Sequence, residues 1–342
     1  RAILDALCRL HETSFYDAIR ANLPGIKTTD FLPEFSGATL DRLLANLRPS
    51  HSIHARHTVG LIDPITAADQ TEETRVGDGL PETLEEVIVA YGHTYFKLKV
   101  SGKVKDDIDR LCAIAAVLDK SSQPYFVTLD GNEQYHDVEG VEELWQTMEN
   151  TPALRRLVDS ILFIEQPIER KTALQRDLSR LSSKRPLVID ESDSDLEVFP
   201  RARHLGYMGV SSKICKGIYK SFINAARCAI WNEQKDGTHY FMTGEDLSTQ
   251  AGVALQQDLA LVSLIGLDHL ERNGHHYVKG MSGLPASEQK AFLTAHPDLY
   301  METEDLVHVR IRHGKLSIGS LFCPGFAVAA EPDWSAMRET YN

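Results

Sequence analysis

From about residue 53 onward, short runs of β-branched and aromatic residues alternate with longer stretches whose apolar positions recur every three or four residues. That alternation predicts parallel strands joined by covering helices. The predicted strands are HTVGLID (57–63), TYFKLKV (94–100), PYFVTLD (124–130), SILFIEQP (160–167), PLVID (186–190), YMGVSSKI (207–214), THYFMT (238–243) and SLIGLDHL (263–270). Helices are expected over 81–91, 104–120, 137–149, 172–182, 217–233 and 248–262; in the second, Ile108, Leu111, Cys112, Ala115 and Leu118 share one face. Such a series of units is the pattern of an α/β barrel of the (β/α)₈ type, with a doubly wound open sheet as the alternative. The opening segment 1–50 is helical in pattern, with Ile3, Leu4, Leu7 and Leu10 spaced along one face, and VHVRIRHGKLSIG (307–319) predicts a hairpin. Both lie outside the repeat, in an accessory domain.

The 342 residues are 42% hydrophobic and 25% charged, the composition of a soluble globular chain. No apolar run reaches the length of a membrane span, so no membrane partner is expected. Lys and Arg total 36 against 49 Asp and Glu, a balance of −13 that repels phosphate backbones and argues against nucleic acid as a partner. Small metabolites and metal cations fit that charge. The five cysteines, Cys8, Cys112, Cys215, Cys228 and Cys323, form no CxxC pair and read as reduced thiols of a cytoplasmic protein. The chain opens within an element, and no signal peptide is visible.

Polar residues at strand ends carry the chemistry, because barrel enzymes build their sites there. The second strand ends in Lys97-Leu98-Lys99, the third in Asp130-Gly131-Asn132, the fourth in Glu165-Gln166-Pro167, the fifth in Asp190-Glu191-Ser192 and the sixth in Ser211-Ser212-Lys213. In a closed sheet Asp130, Glu165 and Asp190 converge, and three anions in a partly dry site repel unless a cation sits between them. An all-oxygen set selects Mg²⁺, with Mn²⁺ as a substitute. Lys97 and Lys99 share a face by the two-residue period. Lys213 comes from four strands further round, across the mouth from Lys99, whereas Lys216 is expected to be solvated or to start a helix. Such a cation can stabilise the enediolate formed when a proton leaves the carbon α to a carboxylate. Two lysines on opposite faces of that carbon could then remove and return the proton, which is racemisation or epimerisation. With a β-leaving group the same intermediate gives elimination or, in reverse, cycloisomerisation.

With KLK, DGN, EQP, DES, SKICKG and the closing GKLSIGSLFCPGF in this order, the chain resembles the enolase superfamily, and within it the muconate lactonizing enzymes, o-succinylbenzoate synthases and dipeptide epimerases. The resemblance implies a modified TIM barrel with a partly present α+β capping domain: residues 1–52 as its helical remainder, 53–290 as the barrel and 291–342 as a segment returning to the cap. It implies Asp130, Glu165 and Asp190 as Mg²⁺ ligands, Lys99 and Lys213 as the acid–base pair, and Lys97 as an auxiliary lysine that tunes Lys99 and contacts the substrate carboxylate. Asn132 and Glu191 resemble positions that orient the ligands. A symmetric homo-oligomer acting on a small-molecule carboxylate is also implied. The resemblance is incomplete in three places. Roughly the first half of the capping domain is absent from the sequence. A glutamate after the seventh strand is missing or shifted to Glu245, within Thr243-Gly244-Glu245-Asp246-Leu247-Ser248. Of the Asp-x-Asp that holds an ammonium in dipeptide epimerases, Asp268-His269-Leu270-Glu271 keeps only Asp268. A racemase, epimerase or cycloisomerase is the primary expectation; an acid-sugar or hydroxy-acid dehydratase and a non-catalytic carboxylate-binding barrel are the alternatives. His269, His275 and His276 read as satisfied or solvated, and Trp145, Trp231 and Trp334 as packing.

Overall fold

The computed structural model describes residues 1–27, 32, 35–233, 237–246 and 250–336. Along the chain come α1 (Ala2–Leu10), α2 (Phe15–Arg20) and α3 (Gly37–Ala45), then β1 (Ser52–Val59), α4 (Leu84–Tyr91), β2 (Tyr95–Lys99), α5 (Val104–Leu118) and β3 (Phe126–Asp130). There follow α6 (Val138–Asn150), α7 (Arg155–Asp159), β4 (Ile161–Glu165), α8 (Ser179–Ser182), β5 (Leu187–Ile189), α9 (Val198–His204), β6 (Gly209–Ser212), α10 (Ile218–Glu233) and β7 (Phe241–Gly244). The last elements are α11 (Val253–Leu264), β8 (His269–Glu271), α12 (Gly274–Tyr277), α13 (Ala286–Ala295), β9 (Tyr300–Thr303), β10 (Leu306–Val309) and β11 (Lys315–Ser317).

The chain divides into two units, one of residues 54–245 with 269–272, the other of 1–53, 246–268 and 273–342. In the first, β1 to β7 pair in parallel in sequence order, β8 pairs with β1, and a parallel bridge from Glu245 to Glu271 joins the end of β7 to β8. The sheet is therefore the curled parallel sheet of the (β/α) barrel expected, with β7 and β8 meeting only through that one bridge. Its helices are set by local chemistry. Thr83 and Glu86 form a capping box at the start of α4, and Gly92 ends it in the left-handed conformation that glycine tolerates best. On α5, Leu111, Ala115 and Leu118 are buried, with Ile108 and Cys112 packed beside them, as the periodicity predicts. Trp145 and Trp231 are buried in α6 and α10.

Four expected elements shift. The first strand, expected over 57–63, runs over Ser52–Val59. The helix over 172–182 shrinks to α8, because 171–176 form turns. The helix expected over 248–262 appears as α11, while Leu247 and Ser248 lie outside the described residues. The eighth strand starts at His269, since Ser263 and Leu264 still belong to α11.

In the second unit, Phe15 stacks on Phe326 with ring centroids 4.0 Å apart and Tyr16 on Phe322 at 3.9 Å, so α2 is pinned by the C-terminal segment. The hairpin lies earlier than expected: β9 and β10 pair antiparallel around Glu304-Asp305, both with positive φ. His313-Gly314 repeats that turn, but only one bridge, Arg312 to Lys315, follows it. Trp334 is 64% exposed and does not pack. No helix of the described residues is long and apolar enough to cross a membrane. All five cysteines are free, and Cys215 is exposed.

His296, buried in this unit, accepts the Ala329 N–H at Nε2 (3.1 Å), so its proton sits on Nδ1 facing Ser320 Oγ (3.1 Å). Burial lowers its pKa below the ordinary histidine value. The unfolded chain then binds the proton more readily, so stability is full above about pH 6.5 and falls as pH drops below it. In thermal melts from pH 8 to pH 5, His296→Gln is expected to lie below wild type by a gap that narrows at the acid end. A gap independent of pH would refute the neutral-histidine assignment.

Candidate active site

Strand register brings the polar strand ends into one row. Lys97 and Lys99 lie two residues apart on β2, Lys99 pairs in register with Asp130 on β3, and Asp130 with Glu165 on β4. Asp190 directly follows β5, Lys213 follows β6 and Glu245 follows β7. The order around the barrel is thus Lys99, Asp130, Glu165, Asp190, Lys213, with a lysine at each end of three acids.

At one end, Lys99 Nζ donates to Asp130 Oδ2 at 2.5 Å. At the other, Lys213 Nζ lies 2.8 Å from Asp190 Oδ2 and 2.7 Å from Glu245 Oε2. Lys97, only 2% exposed, points its Nζ at Glu271 Oε2 (2.6 Å), Asp130 Oδ2 (2.9 Å) and Glu165 Oε2 (3.1 Å). The last contact is not aligned for donation, so Glu165 Oε2 is buried without a hydrogen bond. Carboxylate oxygens of Glu165, Asp190 and Glu245 lie within 4.8 Å of one another.

This crowding shifts proton affinities. Burial raises the Glu165 pKa to about 8, and Asp130 and Asp190 add to the effect while Lys97 opposes it. Burial also raises Glu191 and Glu245, each beside other acids. For Asp190 the burial penalty is outweighed by Lys216 and Lys213, which hold its carboxyl below the usual range. For Glu271 burial is likewise overcome, by Lys97 and Arg56, leaving a pKa of about 2. Burial disfavours a charged Lys213, yet Asp190 and Glu245 more than compensate and raise its pKa.

Backbone strain collects beside these acids. Asn132, Glu133 and Gln166 have φ of 42°, 67° and 32°, and a Cβ on Gly131 would sit 2.5 Å from Pro167 Cα, so only glycine lets the ends of β3 and β4 approach. Gln166 is wholly buried and uses its full amide: Oε1 accepts the Asp190 N–H (3.0 Å) and Ser192 N–H (3.3 Å), while Nε2 donates to Ile168 O and Ser192 Oγ, both at 2.8 Å. Asn132 accepts no such burial. It is exposed, its N–H reaches Asp130 Oδ1 (2.7 Å), and its Nδ2 donates to Glu191 Oε1 (2.6 Å).

All the strand-end residues singled out in the sequence from Lys97 to Glu245 meet here. Asp268 does not: it precedes β8 and is exposed, so the acid that ends this strand is Glu271. Lys216, expected to be solvated, is half-buried and donates to Asp190 O (2.7 Å), Asp190 Oδ1 (2.8 Å) and Ser211 O (3.1 Å). Sequence reasoning also missed Arg56, which is buried on β1 and donates to Thr243 Oγ1 (2.9 Å) and His269 Nδ1 (2.8 Å). Burial and Arg56 keep His269 neutral, its pKa well below normal. Starting the first strand at His57 had left Arg56 out; its alternation with His54 and Thr58 was the available signal.

Residues 79–233, a little under half of the chain, match the family model described as enolase C-terminal domain-like. This segment is enolase C-terminal-domain-like. The family resemblance carried by KLK, DGN, EQP, DES and SKICKG is borne out there. The whole chain is similar in fold to the muconate lactonizing enzyme from Pseudomonas putida (TM-score 0.55, 18% identity, 98% of this chain and 71% of that one). It is similar also to the N-succinyl Arg/Lys racemase from Bacillus cereus (TM-score 0.56, 18% identity, 96% and 68%). A third similar structure is an enolase from Bradyrhizobium complexed with magnesium and mandelic acid (TM-score 0.55, 15% identity, 96% and 66%). No curated protein matches this chain in sequence.

Proposed function

We propose that this enolase-like chain is a Mg²⁺-dependent enzyme that moves the proton α to a carboxylate, either removing it and returning one to the same carbon as a racemase or epimerase, or coupling one proton transfer to bond formation at the β-carbon as a cycloisomerase. The observation that carries this reading is the bracketing of three strand-end acids by Lys99 on one side and Lys213 on the other. The donor set fits a hard cation: every ligand candidate is a carboxylate oxygen, and Glu165 Oε2 is buried without a hydrogen-bond donor. Asp130, Glu165 and Asp190 would hold Mg²⁺, with Glu245 close enough to join or replace one of them. When bound, the cation supplies positive charge against the enediolate oxygens. Lys213, kept protonated by Asp190 and Glu245, delivers a proton to one face of the α-carbon, and Lys99 takes it from the other. The magnesium and mandelic acid of the Bradyrhizobium enolase, and the racemase and lactonizing neighbours, support the same class of substrate. We place the enzyme in the cytoplasm, as its free thiols suit, and as a symmetric homo-oligomer.

Proton NMR in D₂O on a panel of chiral and unsaturated carboxylic acids, with Mg²⁺ or with EDTA, tests the reading. Deuterium is expected to wash into the α-position of at least one acid with Mg²⁺ and not with EDTA, and Lys99→Ala is expected to lose the exchange from one enantiomer. Calorimetric Mg²⁺ binding with no exchange from any acid would point instead to a barrel that binds carboxylates without turning them over.

A further inference from the structure

Of the charged side chains in the barrel, Lys97 is the one that cannot do what its place in a Lys-x-Lys pair suggests. Its side chain is 2% exposed, against 24% for Lys99, although both point to the same face of β2. The difference comes from β8. Glu271 Oε2 accepts from Lys97 Nζ at 2.6 Å, its shortest contact, and Glu271 Oε1 accepts from Thr58 Oγ1 on β1 at 2.5 Å. Both oxygens of Glu271 are thus committed, one to orienting the carboxylate and one to the ammonium. Asp130 and Glu165 then meet the same ammonium from the strands on its other side, at 2.9 Å and 3.1 Å.

We infer that Glu271 is a positioning residue that, oriented by Thr58, draws Lys97 into the barrel, where Lys97 braces Asp130 and Glu165 and does not meet the substrate. This replaces the substrate-contacting role that the sequence resemblance implied for Lys97. The inference rests on the reading above for what the braced carboxylates do, while the contacts stand without it. Its consequence is that the substrate carboxylate finds its positive partners elsewhere, at Lys99, Lys213 or the cation.

Competitive acylation of the full chain by acetic anhydride, read lysine by lysine by peptide mass spectrometry, tests the placement without any substrate. In wild type Lys97 is expected to react about tenfold or more slowly than Lys99, as befits a group reached only by local opening. Glu271→Ala is expected to bring Lys97 towards the Lys99 rate. Thr58→Val, which removes only a hydroxyl, should raise it less and guards against a Glu271 variant that fails to fold. Reaction of Lys97 at the Lys99 rate in wild type, or full protection in a folded Glu271→Ala chain, would overturn the inference. With a responding acid, Glu271→Gln is expected to lower kcat and leave KM nearly unchanged; a rise in KM alone would mean that Lys97 does meet the substrate. Should no acid exchange its α-proton, the proposed reaction fails and the acylation rates still decide where Lys97 stands.

Discussion

Lys213→Ala is expected to slow α-proton exchange from one enantiomer by about 10²–10⁴-fold, the usual contribution of a positioned acid or base. The other enantiomer should still wash in deuterium, because its proton leaves towards Lys99 on the opposite side of the acid row. The asymmetry follows from strand order: three strands separate Lys99 on β2 from Lys213 after β6, and they carry Asp130, Glu165 and Asp190. Loss of Lys213 also frees Asp190 Oδ2 and Glu245 Oε2, but Lys216 remains 2.8 Å from Asp190 Oδ1, so the carboxylate keeps a cationic partner and the fold should persist. Exchange rates measured by NMR for each enantiomer separately decide the matter. Equal loss for both would show Lys213 acting on a step common to the two, such as stabilising negative charge.

Lys97→Met is expected to destabilise the barrel by about 3–5 kcal/mol, the range for removing one partner of a buried ion pair. Methionine matches the stem of lysine and fills its space, so packing is largely kept and the loss is electrostatic. Asp130 would keep Lys99, whereas Glu165 and Glu271 would lose the one lysine ammonium that lies within 4 Å of them among the described residues. Glu271 shows the sign of the pH dependence. With Lys97 in place its pKa is about 2, far below the ordinary glutamate value, so its stabilisation is present at neutral pH and lost only as pH falls through that acid range. Without Lys97 the burial penalty is unopposed by that ammonium, the acid binds a proton more readily, and the deficit of the variant should shrink from pH 7 to pH 5. Urea midpoints of both proteins at the two pH values test this. An unchanged midpoint at pH 7 would remove the buried ammonium from the forces that hold the barrel.

Six of the eight barrel strands lie where the hydrophobic pattern puts them, within a few residues, because a buried parallel strand is a short apolar run and such runs are bounded here by polar strand ends, while the first starts five residues before the expected His57. The eighth slipped for a physical reason. On α11 every residue from Leu255 to Leu264 is buried, so the helix has no polar face to mark its period, and its end reads like a strand. The misplacement carried Asp268 into the site and left out Glu271.

The residue types, their spacing and their strand ends are local properties, and they sufficed to single out Lys97, Lys99, Lys213, Asp130, Glu165 and Asp190 and the kind of barrel that gathers them, but not Lys216 or Glu271. Which ammonium meets which oxygen depends on strands far apart in the chain. Lys97 is turned inward by Glu271, 174 residues away, and Lys216 is tied to Asp190, 26 residues away. The first pairing arises only when β8 comes against β1 and the second when β5 pairs with β6, and each fixes distances of about 3 Å, over which the electrostatic energies of buried charges change steeply.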